Sequence, residues 1–87
     1  MSGVRLARKA RLRFDRHAGS FVLLGPERGL VLNPSAAAIV RLCDGRPVDA
    51  IVEAIGAGVQ AAERERAEAD VRSFVLDMIA RRMLVEA

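Results

Sequence analysis

Polar and apolar residues alternate over Arg11-Leu12-Arg13-Phe14-Asp15, a period of two that predicts a strand with one buried face. Residues 16–20 read as a loop. Phe21-Val22-Leu23-Leu24 is apolar throughout, which predicts a short central strand covered on both faces. Gly25-Pro26-Glu27-Arg28-Gly29 supplies the residue types of a turn. Leu30-Val31-Leu32 then closes a three-stranded antiparallel meander, with its last strand at a sheet edge carrying unpaired backbone groups.

The period lengthens after Asn33. Asn33-Pro34 has the form of a helix start, with Asn33 as the cap and Pro34 at the first helical position. Ala36, Ile39, Val40 and Cys43 follow at helical spacing, and Asp44-Gly45 ends the segment. Pro47 opens a second helix with Val48, Ile51, Val52 and Ile55 on one stripe, stopped by Gly56 and Gly58. A third, longer helix is predicted over about 62–82. On it Val71, Phe74, Val75, Met78 and Ile79 fill an arc of about 140° at about 100° per residue. Leu76 and Met83 widen the arc to about 200°, and Arg72 projects between Ile79 and Met83. Two readings fit that width: a helix covered on two sides by its own domain, or one wall of a groove. The expected fold is α+β, winged helix-turn-helix-like, a three-stranded antiparallel sheet followed by three helices.

Composition adds limits. Eighty-seven residues, 52% hydrophobic and 29% charged, suit one small folded domain with a thin stability margin. A membrane-spanning run and a secretory signal are both absent from the pattern, and a single cysteine, Cys43, cannot form an internal disulfide. These features point to the cytoplasm. The net charge of +3 is uneven: Arg5, Arg8, Lys9, Arg11, Arg13 and Arg16 stand against Asp15 alone over residues 1–16. The division expected is a basic N-terminal arm over 1–10 and one domain over 11–87.

Catalytic chemistry finds no set of residues. His17, the only histidine, sits in a polar loop without a serine or cysteine nucleophile beside it, and no metal-ligand spacing or phosphate loop occurs. Neither enzyme activity nor a cofactor is expected. A winged helix raises DNA binding, but the last helix opens with Glu63, Glu65, Glu68 and Asp70, which would meet phosphate repulsively.

The pattern also resembles a known family. Arg11-Leu12-Arg13-Phe14-Asp15, Val22-Leu23-Leu24, Pro26-Glu27, Gly29, Val31, Leu32-Asn33, Ser35-Ala36 and Leu42-Cys43-Asp44-Gly45 are similar to the PqqD family of pyrroloquinoline quinone biosynthesis, with coverage from about residue 6 to 85. The resemblance implies a peptide chaperone, a recognition element for ribosomally made, modified peptides. Such a protein binds the precursor peptide PqqA and presents it to the radical S-adenosylmethionine enzyme PqqE, which joins a glutamate and a tyrosine. It further implies docking of the peptide as an extra strand on the third strand, against the third helix. The candidate binding residues are therefore Gly29, Leu30, Val31 and Leu32 on the edge, and Arg72, Leu76, Ile79 and Met83 on the helix flank, with Arg72 as carboxylate partner. Nucleic acid and membrane are not expected partners; a homodimer is left open. A DNA-binding winged helix and a homodimerisation module are the alternative readings. The chain departs from the family pattern at two points. Gly25 stands where an aromatic residue is common. Arg82-Met83-Leu84 replaces a common Arg-Gly-Leu, which implies a last helix running on by a residue or two.

Overall fold

In the computed structural model, which describes residues 3–87, the chain runs β1 (Val4–Leu6), β2 (Arg11–Asp15), β3 (Ser20–Leu24), β4 (Gly29–Leu32), α1 (Pro34–Arg41), α2 (Val48–Gly56), α3 (Ala61–Ala80) and β5 (Leu84–Glu86). The meander is as the alternation predicts. β2, β3 and β4 form one antiparallel sheet in that order, with Leu12 opposite Leu23 and Leu23 opposite Leu30. Because side chains alternate along a strand, Leu12, Phe21, Leu23, Leu30 and Leu32 share the face that meets the helices. Leu23 is fully buried there and Leu32 nearly so.

One expectation about β3 changes. Its opposite face is not covered: Val22 and Leu24 are only half-buried, and the neighbouring Val31 is 71% exposed. An all-apolar strand suggested two covers, but the helices pack on one side of the sheet alone.

Asn33 caps α1 as its chemistry predicts, its Oδ1 accepting the Ala36 N–H at 2.8 Å. Val48 and Ile51 on α2, and Val71, Val75 and Met78 on α3, join Ile39, Val40 and Cys43 in a single core. Arg64 of α3 donates to the Gly56 carbonyl, satisfying the end of α2. Both i,i+4 ion pairs legible in the sequence form, Arg72 to Glu68 at 3.0 Å and Arg81 to Asp77 at 3.2 Å.

The end of α3 departs from expectation: the helix does not run on past 82. Arg82 turns to φ 63°, its N–H bonds the Ile79 carbonyl, and the Met83 N–H reaches back to the Met78 carbonyl at 2.9 Å. This is the Schellman closure of a helix, and the apolar residue that follows it is drawn inward. Met83 is 2% exposed.

The larger correction concerns the N-terminus. Residues 4–6 are not a free arm but β1, paired antiparallel with β5 so that Leu6 lies opposite Leu84. On its other side β1 meets the turn after α1: the Val4 N–H donates to the Arg46 carbonyl at 3.0 Å, and the Gly45 N–H to the Val4 carbonyl at 2.8 Å. Val4 and Leu84 are both fully buried. Gly3 lies so close to the Gly45 carbonyl oxygen that a Cβ could not be added without moving backbone. The basic side chains Arg5, Arg8 and Lys9 still face solvent, so the charge pattern holds while the segment itself belongs to the folded unit. Met1 and Ser2, the start of the expected arm, lie outside the described residues. A three-residue strand shows no readable period, and its partner is some eighty positions away.

Cys43 gives the fold a titration signature. Burial, first, and the nearby Asp44 charge push its thiol from 9.0 up to about 11, with Arg46 partly opposing them. The folded protein then holds this proton more tightly than the unfolded chain, so its stabilising effect is complete below pH 9 and is lost as pH rises to about 11. The loss should approach about 1.4 kcal/mol per pH unit in that window. The chain has no tyrosine to titrate alongside. Urea midpoints at pH 8 and pH 10.5 should therefore differ for the wild type and converge for Cys43→Ala.

Candidate functional site

β4 is one of the two edge strands of its sheet, β2 being the other. The turn before it decides which of its groups are free. The Gly25 N–H donates to the Arg28 carbonyl at 2.8 Å, so these two form a hydrogen-bonded pair. Such pairs alternate along an antiparallel ladder. Leu23–Leu30 and Phe21–Leu32 are then bonded pairs, while Val22–Val31 and Leu24–Gly29 are not. The backbone N–H and C=O of Val31, and those of Gly29, consequently point away from β3 toward the open edge. The side chains divide differently. Leu32 is buried in the core and Leu30 packs against it, so neither leucine offers a free side chain. Gly29 to Leu32 thus presents backbone at the edge, and Val31 is its open position.

On α3 the expected flank only partly assembles. Leu76 is 59% exposed and Ile79 half-buried against the core, and both remain accessible. Met83 is not on the flank, because the helix has ended and its side chain fills the space beside Gly25: a Cβ on Gly25 would lie 2.9 Å from the Met83 Sδ. The two departures from the family pattern therefore meet in space, the residue without a side chain at 25 making room for the larger one at 83.

Arg72 is not a free cation. Its guanidinium bonds Asp49 of α2 at 2.5 Å and Glu68 of its own helix at 3.0 Å. These two carboxylates hold it still more firmly protonated than an ordinary arginine. It lines an open cleft of about 300 Å³ between α2 and α3, with Val48, Asp49, Val75 and Leu76. No β4 residue lines that cleft. The fold therefore brings Arg72 and Leu76 together but does not join them to the strand edge in one concavity. A carboxylate approaching Arg72 would have to displace one already bound. Among the described residues no group of three or more His, Cys, Asp and Glu is placed to hold a metal ion. No helix among them is long and apolar enough to cross a membrane.

An unpaired strand edge and an accessible helix flank are surfaces that a partner can cover, and comparisons with known proteins give the family. A PqqA binding protein of Rhizobium meliloti (strain 1021) is 44% identical over 84 residues, covering 95% of this chain and 85% of the relative. The solution structure of the PqqD portion of Methylobacterium extorquens PqqCD, described as a stand-alone recognition element for ribosomally synthesized and modified peptides, superposes with a TM-score of 0.76. It is 36% identical and covers 95% of this chain and 88% of that one. The lasso peptide synthetase B1 complexed with its leader peptide also superposes at 0.76, with 26% identity and coverage of 97% and 99%. The profile of the family described as coenzyme PQQ synthesis protein D (PqqD) matches residues 20–84, three-quarters of the chain, and with the Rhizobium relative it shows that this chain belongs to the PqqD family.

Proposed function

We propose that this protein is the peptide chaperone of a pyrroloquinoline quinone pathway: it binds the precursor peptide PqqA and presents it to the radical enzyme PqqE in the cytoplasm, without chemistry of its own. The observation that carries the reading is the open β4 edge, with Val31 aimed outward, in a chain whose relatives are named for binding PqqA. Backbone bonds from such an edge supply affinity that tolerates many sequences, and pockets beside it supply selectivity. The docking residues proposed are Gly29 and Val31 through their backbone and Leu76 and Ile79 through their side chains; Leu30 and Leu32 spend their backbone groups on β3. Arg72 keeps a lesser place, since its charge is already matched by Asp49 and Glu68.

Calorimetry with a synthetic PqqA peptide should show saturable one-to-one binding. Incubation with that peptide should leave its mass unchanged, since among the described residues no nucleophile and base are placed together. Absence of binding, or a mass shift produced by this protein alone, would remove the chaperone reading.

A further inference from the structure

Arg72 was the natural place to seek recognition of acidic side chains, and its neutralisation moves the question elsewhere. The turn between β3 and β4 packs against the end of α3. Gly25, Pro26, Glu27, Arg28, Arg81, Arg82 and Met83 line one open cleft there, of about 330 Å³. Of its three guanidiniums, Arg81 is held by Asp77. Arg28 and Arg82 have no carboxylate within 4.0 Å among the described residues, and Glu27 is the cleft's only acidic lining residue.

The position of this pair is informative. Arg28 immediately precedes Gly29, the first residue of the open edge, and Arg82 closely follows the helix that carries Leu76 and Ile79. The two free cations thus share one cleft, at the start of the strand edge and just past the end of the helix. Arg82 also occupies a backbone conformation, φ 63°, in which glycine would cost least. A long charged side chain at a strained position suggests that the side chain is used.

We propose that Arg28 and Arg82 form a carboxylate-reading subsite that grips acidic side chains of the peptide lying along β4. This deepens the proposed function and rests on it. Paired guanidiniums suit carboxylates because their planar donors bind both oxygens. Such contacts would set the register of the peptide, which uniform backbone bonds cannot do.

The test uses Arg28→Ala, Arg82→Gly, their combination, and Arg66→Ala as a control of equal charge change on the exposed start of α3. Each is titrated with synthetic PqqA and with the same peptide carrying Gln and Asn for every Glu and Asp. Arg82→Gly should raise the melting temperature, because glycine relieves the left-handed backbone, and yet weaken PqqA binding about three- to fivefold. The combined variant should lose about tenfold or more, with a shallower salt dependence, and Arg66→Ala should lose nothing. The amide peptide should bind wild type and variants alike. Unchanged PqqA affinity in the combined variant would overturn the subsite while leaving the chaperone reading intact, and so would an equal loss with the amide peptide. Failure of wild type to bind PqqA at all would remove both.

Discussion

Val31→Pro should fold and yet bind PqqA at least tenfold more weakly, whereas proline at Leu30 or Leu32 should unfold the domain. The Val31 N–H points to the open edge, so a proline there removes no internal bond, and edge strands tolerate it. What it removes is a donor that an added peptide strand would use. Tenfold corresponds to about 1.4 kcal/mol, in line with one lost hydrogen bond plus local misfit. At Leu30 and Leu32 the N–H faces β3. Proline there breaks a ladder bond, leaves a carbonyl of β3 unpaired, and deletes a leucine packed in or against the core. Losing a buried leucine alone costs about 2–5 kcal/mol, and a domain of this size holds about 4–13 kcal/mol in all. Alanine at each position separates side-chain loss from backbone loss. Circular dichroism melts and calorimetry read the two classes. Full peptide affinity in a folded Val31→Pro would show that the peptide docks elsewhere.

Met83→Ala should destabilise the domain by about 2–5 kcal/mol, a large share of its total, while changing peptide affinity little in the fraction that remains folded. Its side chain is buried and seated over Gly25, so its loss leaves a cavity between the β3–β4 turn and the end of α3. The same contact makes Gly25 sensitive. Gly25→Ala introduces a Cβ 2.9 Å from the Met83 Sδ and should destabilise the wild type. In the Met83→Ala background that Cβ enters free space, and the penalty should vanish or reverse. A double-mutant cycle by urea denaturation measures this coupling. Simple additivity would mean that the two residues do not share one volume.

The elements with a clear period are legible in the amino-acid sequence itself. Leu12 and Phe14 alternate with arginines, and Asn33-Pro34 can hardly do anything but start a helix. The buried positions Val71, Val75 and Met78 follow directly from helical spacing. Each depends on neighbours within a few residues, where steric preference and side-chain chemistry act directly. The turn over Gly25–Gly29 leaves the parity of β4 open, and the Gly25–Arg28 backbone bond of the structure decides the outward aim of Val31.

What lay beyond the sequence were contacts between distant segments. Met83 reads as one more apolar residue on a helical flank until Arg82 turns the chain and sends it under Gly25. Helical spacing gives Arg72 its partner Glu68, but only the packing of α2 on α3 brings Asp49 to it as a second carboxylate. Val4 is one apolar residue in a basic run, and its burial requires β5 and the 44–46 turn on either side. Periodicity records which face of an element is apolar, because that property is local. Which surface covers that face, and which charges meet there, depends on segments that fold together from far apart, and the tertiary structure alone decided it.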